Sequence, residues 1–550
     1  MPALHPIVER LIEKRNIREE ELRSFLNPSY EERPDPFLMQ DMDRAVVRTL
    51  SAITNGEKIA AWTDYDCDGI PAGALLSDFF NTINHPLRSY IPDRSEGYGL
   101  NKKGLHELRE EGITLLITAD VGITNVDEVA YANELGIDVI VTDHHLPGNI
   151  LPSAYAVLNP HRKDCAYPFK ELSGTGVAFK FVEGLIKKGN FELSRGSEKW
   201  FLDLVALATV ADMMPLIGEN RALVHYGLIV LRKGRRKGLR ALLETMRIPR
   251  THVTEDDFSF SIAPKINAAS RMGSPLLALE LLTTNDEERA RDIAKQLVKL
   301  NDSRKLEGAR VAKEVKSRLD GAPLDSVIVL GNSHWNPALL GIAATNIVET
   351  YQRTVCLWGK DGDIIKGSCR SDGSVNIVSL MQGTQELFED YGGHELSGGF
   401  SLKANAIHEL PIALQKTYDT VRTNEVEPVE IVEDTQLTLS EASESLYNAM
   451  RTLAPFGIGN TKPLFKFERV RVEKVVWFGK HKEHVRITVS DDSRVMRDAI
   501  GFFVNRASYR NEVELLSPND FVTLHAALEQ SFFAGRKELR LRIEMVALGA

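Results

Sequence analysis

The sequence predicts an α/β protein: two αβ domains joined by a long helix and followed by a small β-barrel. Three observations carry this reading. From about residue 57, short continuously apolar runs alternate with helical patterns. A polar, nearly glycine-free, periodic stretch runs from about Asp286 to Leu319. The last hundred-odd residues break into short β runs separated by glycine turns. At 550 residues the chain is too long for one compact domain, and about two to four domains are expected from length.

Taken in order, the N-terminal MPALHPIVERLIEKRN is charged and amphipathic and has neither an apolar central region nor a cleavage site, so no secretory leader is expected. KIAAW reads as a strand, and PAGALLSDFFNTI as a helix with Pro71 in its first turn. RSYIP, TLLITAD and DVIVTDHH read as further strands, separated by the helices KKGLHELREEG and VDEVAYANELG. Strands that are apolar throughout, rather than at alternate positions, fit a parallel sheet covered on both faces. Two more helices follow, GVAFKFVEGLIKKG and KWFLDLVALATVAD. The periodic stretch carries Ile293, Leu297, Leu300, Leu306 and Val311 at helical spacing. As one helix it would be about 50 Å long, a connector more than a core element. A second αβ pattern runs from Asp325 to about Thr423, and NEVEPVEIVEDTQ reads as an acidic linker. The β runs after it suggest a small barrel.

Hydrophobic content of 43% and charged content of 26% are those of an ordinary globular chain. No apolar run reaches the roughly 18 residues that span a bilayer. The four cysteines, Cys67, Cys165, Cys356 and Cys369, show no CxxC or zinc-type spacing, so a reduced cytoplasm is the expected home. Lys+Arg 67 against Asp+Glu 77 gives a net charge of −10. That argues against a protein that simply coats DNA, but leaves room for a nucleic-acid enzyme whose metal-binding acids inflate the negative count.

TDYDCDGI, residues 63–70, places Asp64, Asp66 and Asp68 within five residues of one another at the end of an apolar strand. Like charges this close repel, so either the segment is a solvated turn or a cation sits there. It lacks the twelfth-position glutamate of an EF-hand. Two other strands end comparably, in Asp120 and in Asp143–His144–His145, and Asp212 ends the apolar helix LVALATVAD. An aspartate after a strand is usually a helix cap. In an open α/β sheet, however, ligands bind beyond the carboxyl ends of the strands, so one fold would bring all these groups to one rim. Several carboxylates and one or two imidazoles, with no thiolate cluster, suit manganese or magnesium better than zinc. Cys67 would face away from the aspartates. Two such ions about 3.5–4 Å apart would activate water and stabilise the leaving oxygen of a phosphoester.

These motifs resemble those of the DHH phosphoesterase superfamily. NPHR (159–162), APKINAASRM (263–272), GSCRS (367–371), GGHELSGGF (392–400) and LAPFGIGN (453–460) narrow the resemblance to the RecJ family of single-strand-specific exonucleases. It covers nearly the whole chain, in order. The resemblance implies a parallel-sheet DHH core, a connecting helix, an α/β DHHA1 domain and a C-terminal OB-fold barrel. The expected boundaries are an N-terminal helical segment at 1–40, the core at 41–285, the helix at 286–322, DHHA1 at 323–424 and the OB-fold at 425–550. It implies two-metal, 5′-to-3′ hydrolysis of single-stranded DNA to mononucleotides in recombination and repair. Asp66, Asp68, Asp120, His144 and Asp212 would hold two Mn2+ or Mg2+ ions, with Asp64 beside them and Asp120 bridging. His145 would contact the scissile phosphate and Arg271 another phosphate. Ser368 and Arg370 would bind the 5′-terminal phosphate, helped by Arg94, with Tyr98 stacking nearby and His394 in a glycine-rich substrate-facing loop. A single-strand binding protein and a helicase are the implied partners. The chain departs from the family pattern at Cys67, where a small alanine is usual, at Val121, where asparagine is common, and at Ser270, where glycine is usual. None of these removes a ligand.

GGHELSGG lacks the GK[ST] of a P-loop; its glycines would let backbone approach a ligand. GSCRS sets a hydroxyl and a guanidinium on one face of an extended strand. The basic run RKGRRKGLR (232–240) is either a solvated face or a flank of the DNA path. In the barrel, Trp477, Phe478, Lys480, Lys482, Arg486, Phe532, Phe533, Arg536 and Lys537 mix bases and rings as single-strand binders do, although most such aromatics belong to cores. Two other functions stay open: a phosphodiesterase for short oligonucleotides or cyclic dinucleotides, and a non-enzymatic replication scaffold on a DHH core.

Overall fold

The computed structural model describes residues 4–403, 406–422, 433–480, 482–533 and 536–548. Of the acidic linker expected over 424–436, residues 424–432 lie outside the described residues, and Thr435–Gln436 form a short strand instead. The described chain forms two compact units, one of residues 29–422 with 457–459, the other of residues 4–28, 433–456 and 460–548.

The larger unit opens on β1 (Ile59–Thr63), β2 (Leu87–Tyr90), β3 (Leu115–Ala119), β4 (Asp138–Thr142) and β5 (Ala156–Leu158). They form one sheet in the order β2-β1-β3-β4-β5 with every pairing parallel. The apolar strands follow from this: Ile59, Ala61, Ile117 and Ile140 enter one core, and Ala60, Trp62, Leu116, Val139 and Val141 enter the core on the opposite face. A strand with both faces covered has no place for a polar side chain until it emerges at its end. Chain order and sheet order differ, and β1, β3 and β4 are direct neighbours. The residues that follow them therefore share one rim.

The expected connector is the helix Glu287–Leu319, 33 residues long, capped by Asp286, whose carboxylate accepts the Glu288 and Arg289 N–H groups. Ala290, Ile293, Ala294 and Leu297 pack into the first domain, and Val311, Ala312 and Val315 into the second. That second domain contains β6 (Val327–Gly331), β7 (Thr354–Asp361), β8 (Ile364–Arg370), β9 (Phe388–His394) and β10 (Ser397–Leu402), in the order β6-β7-β8-β10-β9. Only β6–β7 is parallel. The glycine-rich GGHELSGGF is thus a tight β9–β10 hairpin rather than a loop. Its glycines are packing positions: a Cβ at Gly398 would lie 2.4 Å from Met381 Cε. The hairpin of β7 and β8 also sets Cys356 opposite Cys369, joined as a disulfide. Linear spacing conceals this pair.

The smaller unit contains the short β11 (Thr435–Gln436), paired with β12 alone, and a closed five-stranded barrel of β12 (Phe465–Phe478), β13 (His484–Ser490), β14 (Met496–Gly501), β15 (Phe521–Phe533) and β16 (Arg536–Leu548). The order β11-β12-β13-β14-β16-β15 is closed by β12 pairing with β15. β12 is longer than a short run because its two ends serve different neighbours, with register shifts between Phe467 and Val470 and between Val472 and Lys474. The helix Pro6–Lys14 sends Ile7, Val8, Leu11 and Ile12 into the barrel's core beside Leu437, Leu439 and Leu446. Among the described residues no helix is long and apolar enough to cross a membrane.

Candidate active site

The acidic rim is built by three strand ends and two helix ends. After β1 the chain turns at once into the helix Gly69–Thr82. Glycine is required at its start, since a Cβ on Gly69 would lie 2.4 Å from the Asp64 carbonyl oxygen. Asp66 serves this turn as a cap: its Oδ1 accepts the Asp68 N–H at 2.8 Å and the Gly69 N–H at 3.1 Å. Asp68 points to the start of the helix Gly174–Lys188, where its two oxygens accept the N–H groups of Gly174 (2.6 Å) and Thr175 (2.7 Å). Asp120, directly after β3, has φ of +63°. This left-handed geometry is uncommon for a non-glycine residue and is typically held only where surrounding structure enforces it.

His144 Nε2 lies 3.3 Å from Asp120 Oδ1, 3.6 Å from Asp212 Oδ2 and 3.8 Å from Asp68 Oδ2. Three overlapping triads have ligand atoms within 4.8 Å of one another: Asp64–Asp66–Asp120, Asp68–His144–Asp212 and Asp120–His144–His145. Asp120 and His144 each belong to two of them. Cys67 belongs to none; its side chain is buried in the hydrophobic core, and burial raises its thiol pKa.

The electrostatics call for cations. Asp64 Oδ1 and Asp120 Oδ1 are buried without a hydrogen-bond partner. Burial first, then neighbouring aspartates, raises Asp64 and Asp120 well above the ordinary carboxylate range. Burial and the charges of Asp68 and Asp66 push Asp212 up to about 8. Acids so placed cannot all ionise together unless divalent cations join them. Oxygen-rich donors with one imidazole, two of the oxygens unpaired, fit hard divalent ions such as Mn2+ or Mg2+.

Asp143 has a different task. It accepts the N–H groups of Ile123 (2.9 Å), His144 (2.7 Å) and His145 (3.2 Å), and contacts His145 Nδ1 at 2.8 Å. Burial opposes a charge on His145, but the bond to Asp143 and its charge outweigh that and hold the imidazole at about 9. Its Nε2 is left facing outward, 3.4 Å from the Tyr98 hydroxyl. Tyr98 therefore meets His145 edge-on rather than lying apart from it.

Beyond the rim lies a cavity of about 660 Å³ between the two αβ domains. Tyr65, Arg94, Tyr98, Ser270 and Arg271 line it from the first domain, and Trp335, Lys366, Ser368 and Phe400 are among the residues lining it from the second. Arg94 lies 4.2 Å over the Tyr65 ring and donates from Nε to Ser270 Oγ at 3.3 Å. Ser270 thus steadies a cation. Arg271 Nη1 crosses the cleft to the Ala338 carbonyl at 2.7 Å. Burial, then the charges of Arg94 and Arg304, pull Arg271 down to about 10. Arg370 and Ser368 lie against the first turns of the helix Pro337–Tyr351, where a Cβ on Gly341 would sit 2.6 Å from Arg370 Nη2 and 3.6 Å from Ser368 Oγ. Among the described residues, Arg94, Arg271 and Arg370 have no carboxylate partner. Such a set of cations has its desolvation uncompensated until an anion arrives.

His394 is not drawn into this group; it sits exposed at the end of β9, outside the residues lining the cavity. The basic run at 232–240 is largely tied internally: Arg236 bridges Asp203 and Asp78, Arg232 donates to the Val253 carbonyl, and Arg240 pairs with Glu287. On the barrel, Trp477 packs against the core, while Lys480, Arg486 and Lys537 are exposed. Phe478 instead joins His484 and Phe502, with Arg542 4.7 Å and Arg540 5.3 Å over the Phe502 ring. The side chains of Phe532, Phe533 and Arg536 lie outside the described residues.

Sequence reasoning missed Tyr65, the orienting role of Asp143 and the SGTG segment 173–176. Its small residues ahead of a helix were the available signal. A Cβ on Gly174 would lie 2.5 Å from both Asp120 Cβ and Oδ1. Gly174→Ala is therefore expected to weaken Mn2+ binding in calorimetry and to cost about 1–3 kcal/mol of stability through overpacking; wild-type metal affinity would refute this placement.

A parallel sheet with an acidic, histidine-containing rim facing a cationic cleft defines a metallophosphoesterase-type site. Family models agree with this division: the DHH family N-terminal domain matches residues 58–209, the DHHA1 domain 324–419 and the RecJ OB domain 433–545. The chain is 33% identical to the single-stranded-DNA-specific exonuclease RecJ of Bacillus subtilis over 99% of this chain and 68% of that protein. It is 30% identical to the RecJ of Haemophilus influenzae over 98% of this chain and 96% of that one. The crystal structure of RecJ in complex with Mn2+ from Thermus thermophilus superposes with a TM-score of 0.81 at 26% identity, covering 100% of this chain and 76% of that one. The chain belongs to the RecJ family.

Proposed function

We propose that this protein is a two-metal-dependent exonuclease that hydrolyses single-stranded DNA from 5′ to 3′, releasing mononucleotides, in DNA recombination and repair. The observation that carries the reading is the convergence of overlapping acid–histidine triads on one rim, facing a cleft whose arginines have no carboxylate partners among the described residues. The names of its relatives point the same way.

Asp64, Asp66, Asp68, Asp120, His144 and Asp212 would hold the metals, with Asp120 as the shared ligand. When bound, the ions activate water and stabilise the leaving oxygen. His145, oriented by Asp143 through Nδ1, turns Nε2 toward a phosphate oxygen at the rim. Arg94 and Arg271 carry phosphates across the cleft, and Ser368 with Arg370 receives the 5′-terminal phosphate, which sets polarity. The bond from Arg271 to Ala338 ties the two walls together, which favours a single strand over a duplex. Tyr98 and His394 remain assigned to the substrate side, His394 from the hairpin tip. The half-buried Phe502 ring and the arginines over it offer a stacking surface for bases on the barrel. A cytoplasmic location, and a single-strand binding protein and a helicase as partners, complete the proposal.

The test is a manganese assay on three labelled substrates: a single strand with a 5′ phosphate, the same strand blocked at its 5′ end, and blunt duplex. Rapid mononucleotide release from the first alone is the expected result. Digestion from the 3′ end, or equal digestion of duplex, would overturn the polarity and strand assignment while keeping the hydrolase.

A further inference from the structure

The connecting helix carries one apolar stripe with a break in it. Leu297, Asn301, Arg304, Gly308, Val311 and Val315 recur at alternating steps of four and three, which places them on one face. Leu297 is buried in the first domain and Val311 and Val315 in the second. Where the helix passes from one domain to the other, the same face presents Asn301, Arg304 and Gly308. A Cβ on Gly308 would meet nothing within 4 Å, so the helix borders open space there.

Arg304 is half-buried on this face. Its Nε and Nη2 reach Asn301 Oδ1 at 3.3 and 3.0 Å, and among the described residues it has no carboxylate partner. Asn301 is fully buried, and its Nδ2 has no hydrogen-bond partner. The neighbouring helix Ala263–Met272 brings Lys265 and Arg271 close enough for Arg304 to influence both. Asp302 offsets part of the charge at Lys265, but a buried amide that fixes a guanidinium with no carboxylate bonded to it among the described residues is an arrangement suited to an anion.

We propose that Arg304, presented by the connecting helix and oriented by Asn301, is a phosphate-positioning residue on the single-strand path next to Arg271. This rests on the reading of the cleft as a path for single-stranded DNA. The helix is then part of the substrate floor as well as a spacer.

Binding of a labelled single strand in calcium buffer, across a salt series, tests this with wild type, Arg304→Gln and Arg304→Lys, alongside manganese turnover. Arg304→Gln should weaken binding about five- to tenfold and lower the salt slope by about 0.7, the loss of one phosphate contact on a single strand. KM should rise while kcat at saturation holds, and Arg304→Lys should recover most of the affinity. Wild-type affinity and slope in Arg304→Gln, or equal loss in both variants with an unchanged slope, would overturn the assignment alone. A wild-type protein that binds no single strand would overturn the underlying reading and this inference with it.

Discussion

Asp120→Asn is expected to lower turnover on single-stranded DNA while raising the melting temperature of the metal-free protein. The loss of activity follows from the position of Asp120 in two of the three triads. An amide supplies neither the charge nor the two anionic oxygens that a bridging ligand needs. Metal-based stabilisation of transition-state charge is worth several kcal/mol, so the loss should be on the order of a thousandfold. The gain in stability has a separate cause. The Asp120 carboxylate is buried, its Oδ1 3.3 Å from His144 Nε2 but in no hydrogen bond, with Asp68, Asp66, Asp64 and Asp212 acting on it. Asparagine removes that repulsion. It also tolerates the left-handed backbone better than most residues, so the φ of +63° adds little strain. Turnover with manganese and thermal unfolding in chelator check the two halves. A variant that stays active, or that melts lower than wild type in chelator, would contradict the arrangement.

Stripped of divalent metal, the wild-type protein should become more stable as pH falls from 8 to 6.5. Asp64 and Asp120 are raised well above their ordinary values by burial, and Asp212 stands at about 8. A carboxyl raised in the folded state binds more protons folded than unfolded across this window, so stability falls as pH rises. His145, raised to about 9, contributes in the same direction: its stabilisation is full below the unfolded value and is lost towards pH 9. Below about 6.5, the ordinary histidine value, His161 and His225, lowered by burial, begin to oppose the trend. Saturating Mn2+ should flatten or reverse the slope, because the metal competes with protons for the same oxygens. Melting temperatures in chelator and in manganese across the window measure this. A chelated protein that grows more stable with rising pH would contradict the electrostatic account.

Much of the site was legible because its ligands are local signals. Asp64, Asp66 and Asp68 follow β1, Asp120 follows β3, and His144 and His145 follow β4. In a parallel sheet every strand end on one side reaches the same rim, so a linear pattern of apolar run then acid implies a cluster. The long helix was legible for a similar reason, since its periodicity is internal. Tyr65 was hidden in plain view: it adjoins the first aspartate, but nothing local says that Arg94 will lie over its ring. The glycine-rich segment fits a loop or a hairpin because glycine permits both, and only the antiparallel pairing of β9 with β10 decides for the hairpin.

The sequence by itself determined the order of domains, the connector and the acids of the rim, because strand and helix periodicity and strand-end chemistry are properties of neighbouring residues. The tertiary structure alone decided which groups serve those acids and the cleft. Gly174 and Thr175 meet Asp68 across 106 and 107 positions, and Arg271 meets Ala338 across 67. Cys356 meets Cys369 only because the β7–β8 register sets them opposite each other. Contacts of this kind depend on how separate elements pack, and no local pattern carries that information.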